Sequence, residues 1–226
     1  REHLLHGRAE LMDLLAPAPG AEAVELGAGT GRNLGFLGER LPTLANIDLV
    51  DLCPALLEQA RRRTRRLPNV RVIEADAVTY RPAGQVDLVY FSYSLTMIPD
   101  WAGAVSNALA MLRPGGRLGV VDFYVSEPAP APGLARHGAL TRWFWPRWFG
   151  HDGVRPNPAH LTALRRLLPE HELRERLAPV PYLPGVRVPY YVFVGRLPGG
   201  CTGRSEGAAA TLGLGPGRGI GTLTLE

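Results

Sequence analysis

Between residues 22 and 125 short apolar runs alternate with helical ones, and this alternation constrains the fold more than anything else in the chain. Runs at 22–26, 46–51, 70–74, 86–91 and 117–125 read as strands, and 189–195 returns to strand. The stretches 32–41, 54–66 and 100–112 between them carry helical spacing. Strands separated by helices at this interval mean βαβ units, hence parallel strands covered on both faces. Ahead of them, residues 2–15 repeat Leu at helical spacing until Pro17 and Pro19 stop the helix. Residues 126–185 are less regular and rich in Pro and aromatics. From Pro198 small residues dominate with no apolar period, so 198–226 reads as a flexible tail outside a domain spanning 1–197.

At 226 residues and 46% apolar composition the chain can bury one core of ordinary size. No apolar run approaches the ~18 residues of a membrane span. The opening REHLLHGRAE has no charged-then-apolar leader, and its missing Met reads as a truncated front. All 25 Lys or Arg residues are Arg, which excludes Schiff-base, P-loop and pyridoxal-anchoring lysine chemistry. Cys53 and Cys201 make no zinc or disulfide pattern and fit a reducing cytoplasm, and no metal site is expected. The net charge of +4 allows RNA as a partner, yet no recognisable RNA-binding module is present, which disfavours nucleic acid.

Glu25-Leu26-Gly27-Ala28-Gly29-Thr30-Gly31 follows the first strand and opens the next element. Glycines there let the backbone approach a ligand and adopt angles closed to other residues. A dinucleotide fingerprint wants a small residue at the sixth position, and counting from Gly27 that position is Arg32. A nicotinamide oxidoreductase is therefore disfavoured. Two acids follow at strand ends. Asp51 ends the second strand, where a carboxylate accepts both hydroxyls of a ribose lying across the strand ends. Asp76 follows the third strand. Each acid serves equally well as an ordinary turn residue. Their register with the glycine turn is what favours a nucleoside site.

The pattern Glu-x-Gly-x-Gly-x-Gly resembles the first motif of class I S-adenosylmethionine-dependent methyltransferases. The resemblance implies a Rossmann-like α/β fold: a seven-stranded, mostly parallel sheet with helices on both faces and an antiparallel edge formed by the last strands. It implies S-adenosylmethionine as cofactor and S-adenosylhomocysteine as product. It places Glu25 near the methionine end, with Gly27, Ala28, Gly29, Thr30 and Gly31 beneath it. Asp51 would hold the ribose, Asp76 the adenine amino group, and Leu52 and Ala77 would sandwich the ring, with Ser92 nearby. Several further segments resemble the methyltransferase of betaine lipid synthesis, among them VDLCPALLEQARRR, FSYSLTMIPDW, GVVDFYV, TRWFWPRWFGHDGVRPNPAHLTALRR and VRVPYYVFVGR. That resemblance spans roughly residues 22–197 and implies trimethylation of the amino group of diacylglyceryl-homoserine. A separate partner enzyme would then make the homoserine headgroup. The other readings are a methyltransferase acting on another small molecule or on RNA, and a cofactor-binding or membrane-docking protein without catalysis.

Ser92, Tyr93, Asp122, Phe123 and Tyr124 fall at the carboxyl ends of the fourth and fifth strands, which face the site in a parallel sheet. Tyr93 and Tyr124 are candidate ring faces for a methylated ammonium, worth about 0.5–2 kcal/mol each, or else core residues. Asp122 is the candidate carboxylate partner of the acceptor nitrogen, although strand alternation can turn it away. Trp143, Phe144, Trp145, Trp148 and Phe149, with Arg142 and Arg147 between them, read either as a helix touching lipid at the membrane interface or as a lid packed on the sheet. His151-Asp152 is a possible catalytic pair or a turn. Arg61, Arg62, Arg63, Arg65 and Arg66 suit anionic headgroups, RNA phosphates, or simply a helix C-terminus. Together these features lead to the expectation of a cytoplasmic protein, with peripheral contact at the inner membrane face under the lipid-touching reading of these segments.

Overall fold

The computed structural model describes residues 5–150, 153–181 and 185–199. The parallel half runs β1 (Glu22–Leu26), β2 (Asn46–Asp51), α2 (Pro54–Thr64), β3 (Val70–Glu74), β4 (Val86–Ser92), α3 (Trp101–Met111) and β5 (Leu112–Phe123), preceded by α1 (Arg8–Leu15). It is followed by α4 (Ala139–Gly150), α5 (Pro158–Leu167), β6 (His171–Pro179) and β7 (Arg187–Arg196). The strands form one seven-stranded sheet in the order β3-β2-β1-β4-β5-β7-β6. β7 enters antiparallel between β5 and β6, which supplies the antiparallel edge. The order reverses between β1 and β4, where a doubly wound sheet opens a crevice at its carboxyl edge.

Two apolar layers cover the sheet. On one face Leu11, Met12 and Leu15 of α1 pack with Leu88, Tyr90, Val121 and Val192. Gly119 lets α1 come close, since a Cβ there would stand 3.0 Å from methyl carbons of Leu11 and Leu15. On the other face Ala104, Val105 and Ala108 of α3 and Leu161 and Leu164 of α5 pack against strand residues such as Val24, Val89, Phe91 and Phe193. Local chemistry sets the helix starts. Asp100 accepts from the Gly103 N–H at 2.9 Å, and Asn157 caps α5 ahead of Pro158 through the Ala159 N–H at 3.0 Å.

Three expectations need correction. The stretch 32–41 is not an α-helix but two 3-10 turns, Arg32–Phe36 and Gly38–Thr43, because Gly35, Gly38 at φ 54 and Pro42 interrupt helical propagation. The first helix starts at Arg8, behind Gly7 at φ 77; residues 1–4 lie outside the described residues. β5 begins at Leu112, earlier than expected. Val86 pairs with Leu112 and Leu88 with Arg117, so Pro114-Gly115-Gly116 is carried as a bulge within the strand. Of the expected tail, residues 200–226 lie outside the described residues.

Candidate active site

The glycine turn after β1 is built from left-handed backbone. Gly27, Gly29 and Gly31 have φ of 74, 54 and 68°. The N–H groups of Gly27 and Ala28 both donate to the Val50 carbonyl, at 2.8 and 3.0 Å, and fold the turn over the end of β2. A Cβ on Gly27 would stand 2.3 Å from Ser94 Cβ, and one on Gly31 3.0 Å from Leu49 Cδ1. A Cβ on Gly29 would meet nothing nearer than Leu56 Cδ1 at 3.9 Å. Asp51 closes the turn from below: Oδ2 accepts from the Gly29 N–H at 2.7 Å and Oδ1 from the Cys53 N–H at 2.8 Å.

A cavity of about 1080 Å³ opens here. Gly27, Ala28, Gly29, Thr30, Asp51 and Leu52 line it at one end, with Asp76 and Ala77 beside them. Ser92, Tyr93, Phe123, Trp148 and Phe149 line the other. The volume slightly exceeds the roughly 300–1,000 Å³ of most small-molecule sites, which suits a nucleoside cofactor together with an acceptor. The wall fits a polar ligand. Ser92 Oγ and Asn33 Oδ1 are buried on it with no protein partner, and the glycine turn leaves space that a side chain would occupy. Leu52 is 64% exposed at the rim, available to cover a flat ring. Asp76 Oδ1 accepts from the Val78 N–H at 2.8 Å and holds the turn that carries Ala77. Among the described residues no group of His, Cys, Asp and Glu could hold a metal ion.

Glu25 and Gly31 lie behind this wall. Glu25 is fully buried, accepting from the Asn33 amide and from the Tyr90 hydroxyl at 2.9 Å. Burial pushes its carboxyl up to about 7, against the pull of those two hydrogen bonds. Asn33, which Glu25 orients, is the residue that reaches the cavity. Gly31 closes the turn through its N–H on the Ala28 carbonyl at 3.0 Å. Thr30 is braced by Arg63, which donates to its carbonyl and, at 3.2 Å, to its hydroxyl. Arg62 pairs with Glu58 at 3.0 Å, so two members of the arginine run serve the helix and the turn.

The three residues expected to act on the acceptor separate. Tyr93 lines the cavity at φ 56, a left-handed conformation that costs a non-glycine residue energy. Its ring packs on Phe123 at 4.7 Å, and Phe123 packs on Phe149 at 4.4 Å. Its hydroxyl donates to the His6 carbonyl at 2.6 Å. Asp122 and Tyr124 do not line the cavity, because strand alternation points Phe123 there and turns its neighbours away. The Asp122 carboxylate instead accepts from the Thr96 N–H (3.0 Å), the Thr96 hydroxyl (2.8 Å) and the Phe123 N–H (2.8 Å). Burial raises it to about 6. The Tyr124 ring sits in the opposite layer, edge-on to His137 at 5.3 Å and Tyr191 at 5.9 Å.

The aromatic run divides as well. Trp145 and Phe149 are buried in the apolar layer on the sheet, whereas Trp143 and Trp148 are 55% and 48% exposed. His151-Asp152 lies outside the described residues. Sequence reasoning missed Arg8 and Leu5, which reach the cavity from the far end of the chain order, and Asn33, whose signal was its place just after the glycine turn.

Residues 23–116 match a family model described as a methyltransferase domain. Over 122 residues the chain is 38% identical to trans-aconitate 2-methyltransferase of Enterobacter sp. (strain 638), a match covering 54% of this chain and 47% of that protein. It is 32% identical over 111 residues to aklanonic acid methyltransferase DauC of Streptomyces sp. (strain C5), covering 48% and 50%. The chain thus spans about half the length of the curated relatives it matches. Among solved structures it resembles the N-methyltransferase NodS of Bradyrhizobium japonicum WM9 in complex with S-adenosyl-l-homocysteine. There the TM-score is 0.63 at 18% identity, over 84% of this chain and 85% of that one. These likenesses, with the strand order, establish the Rossmann-like methyltransferase fold.

Proposed function

Starting from a methyltransferase domain at residues 23–116, we propose that the chain transfers a methyl group from S-adenosylmethionine to the amino nitrogen of an amino-acid headgroup of the betaine-lipid, diacylglyceryl-homoserine type. When bound, that cofactor supplies a methyl already activated on a positive sulfur. The glycine turn and Asp51 would hold its amino-acid and ribose parts, with Asp76, Leu52 and Ala77 around the adenine. The remaining work is alignment and exclusion of water, which supply as much as about 7–11 kcal/mol of such a barrier.

The observation that carries the acceptor class is the aromatic wall of Tyr93, Phe123, Phe149 and Trp148. Ring faces attract a cationic ammonium by about 0.5–2 kcal/mol each. The Tyr93 hydroxyl gives its hydrogen to His6, so its oxygen lone pairs remain to accept an N–H of the acceptor. The wall continues onto exposed Trp148, Trp143 and Leu140, with Arg147 over the Trp143 ring at 4.9 Å. That surface suits peripheral contact with an anionic bilayer on its cytoplasmic side. No helix among the described residues is long and apolar enough to cross a membrane. The partner class this reading requires is an enzyme that builds the homoserine headgroup.

A carboxylate-oxygen acceptor is the second reading, favoured by the relatives named trans-aconitate 2-methyltransferase. The family match, however, ends at residue 116, ahead of Phe123 and α4, which wall the acceptor end. Incubation with methyl-labelled cofactor and, separately, lipid extract, trans-aconitate or total RNA tests the proposal. Label in a lipid of amino-acid headgroup is expected. Label in trans-aconitate or RNA alone would overturn the amine acceptor. No label anywhere, with S-adenosylhomocysteine still bound, would mark a non-catalytic cofactor-binding protein.

A further inference from the structure

We propose that Arg8 is an anion-binding residue at the acceptor end of the cavity, holding a carboxylate of the acceptor through charge-assisted hydrogen bonds. The inference rests on the methyl-transfer reading only in requiring an acceptor. Arg8 lines the cavity, and its guanidinium stands over the Tyr93 ring, 5.7 Å from the centroid. Its Nε is buried without a partner, and among the described residues no hydrogen bond or ion pair engages its side chain. Other arginines find carboxylates: Arg71 reaches Asp48 at 2.6 Å, and Arg174 reaches Glu10 at 2.8 Å. Glu25 attracts the Arg8 guanidinium through space but accepts its own hydrogen bonds from Asn33 and Tyr90, so among the described residues no carboxylate is bonded to Arg8. A desolvated cation left in that state is costly, and a planar fork presented to a cavity matches a carboxylate in shape and charge. Burial also holds the Arg8 guanidinium below its ordinary value, the direction that a bound anion reverses.

Position favours the acceptor over the cofactor as the source of that carboxylate. α1 rests on β5, with Leu11 and Leu15 against Gly119, and its leading Gly7 packs on Tyr190 of β7. Arg8 therefore enters from the β5–β7 side, above the ring pair Tyr93 and Phe123. Asp51 and Asp76 follow β2 and β3, on the other side of β1. An amino-acid headgroup would offer its carboxylate to Arg8 and its amine to the aromatic wall. A polycarboxylate acceptor would offer one acid group to each end.

Calorimetric titration of the free and the S-adenosylhomocysteine-saturated protein tests this, using homoserine and trans-aconitate, each against the counterpart in which carboxamide replaces carboxylate. The wild-type protein is expected to bind at least one acid tenfold or more tighter than its amide. Arg8→Met should abolish that preference while changing S-adenosylhomocysteine affinity less than twofold, and Arg8→Lys should retain part of it. Equal binding of acids and amides by the wild type, absence of binding included, would overturn the proposal. So would a preference that survives Arg8→Met, or a loss confined to S-adenosylhomocysteine, which would give Arg8 to the cofactor. Failure of the wild type to bind S-adenosylhomocysteine counts against methyl transfer instead, and the titrations of the free protein still read Arg8.

Discussion

The two ends of the cavity are held by different means. At the glycine-turn end, proposed to hold the nucleoside, the backbone defines the space: three left-handed glycines, two N–H groups on one carbonyl, and a carboxylate clamped by the N–H groups of Gly29 and Cys53. At the acceptor end side chains define it, brought from α1, β4, β5 and α4. A backbone-built site tolerates little change at its few special positions. A site walled by side chains changes specificity by substitution while the fold persists. Damage at the first end should therefore be large and bear on cofactor and fold, and damage at the second should be small and bear on acceptor choice.

Gly27→Ala is the strongest challenge to that contrast. It combines a left-handed φ of 74° with a Cβ 2.3 Å from Ser94 Cβ, and Ser94 is itself fixed by its hydroxyl on the Leu26 carbonyl at 2.7 Å. Strain and overlap together should cost about 3 kcal/mol or more, lowering the thermal midpoint by roughly 6–12 °C and abolishing S-adenosylhomocysteine binding. Gly29→Ala carries the strain without the overlap and should cost about 1 kcal/mol. Equal midpoints for the two variants would show that the Ser94 contact does not define the turn.

Asp51→Ala comes next. It removes the side chain that accepts two backbone N–H groups and is assigned to the ribose. Loss of about 3 kcal/mol corresponds to a roughly 100-fold weaker S-adenosylhomocysteine Kd by calorimetry. Unchanged affinity would remove Asp51 from the ribose.

The same contrast explains how much of each end is legible in the sequence. The geometry of the glycine-turn end is legible because it demands particular residue types at particular backbone positions, and those types recur at strand ends: Gly27 to Gly31, Asp51, Asp76. The acceptor end is only half legible. The place of Tyr93 on the cavity wall is legible because it directly follows a strand. That of Arg8 is not, because it depends on α1 folding back over β5 and β7. Asp122 and Tyr124 were named with Phe123 from one strand end, although a side-chain period of two allows that end to present only alternate residues. β6 escaped because an edge strand with charged, half-exposed positions such as Glu172, Arg174 and Arg176 shows no apolar alternation.

A buried carboxyl also lies outside the cavity near each end, Glu25 on β1 and Asp122 on β5, and pH separates them. Glu25 titrates at 4.5 ordinarily and about 7 in the fold; Asp122 at 3.8 and about 6. Between those limits the folded chain binds more protons than the unfolded one, so each group's contribution to stability is complete below its ordinary value and is lost as pH rises through its folded value. Each pH unit in the window carries at most roughly 1.4 kcal/mol per group. Glu25→Gln keeps a neutral partner for the Tyr90 hydroxyl and should gain up to about 2–3 kcal/mol on the wild type between pH 5 and 8, read from urea midpoints. Asp122→Asn should gain over a lower window, roughly pH 4 to 6. A parallel shift at all pH values would mean that neither carboxyl is held protonated by the fold.

The smallest effect belongs to Tyr93→Phe. The ring stays, and with it the contact to Phe123 and the face beneath Arg8. Only the hydroxyl bond to the His6 carbonyl is lost, worth about 1 kcal/mol, or roughly 2–4 °C in thermal midpoint. That bond ties the segment ahead of α1 to the acceptor end and so positions Arg8 two residues on. If the ends are independent, S-adenosylhomocysteine affinity should stay within twofold of wild type while the preference for carboxylates over their amides falls a few-fold. A matching fall in cofactor affinity would show that the latch serves the whole cavity, because the segment it holds would then be shaping the nucleoside end as well.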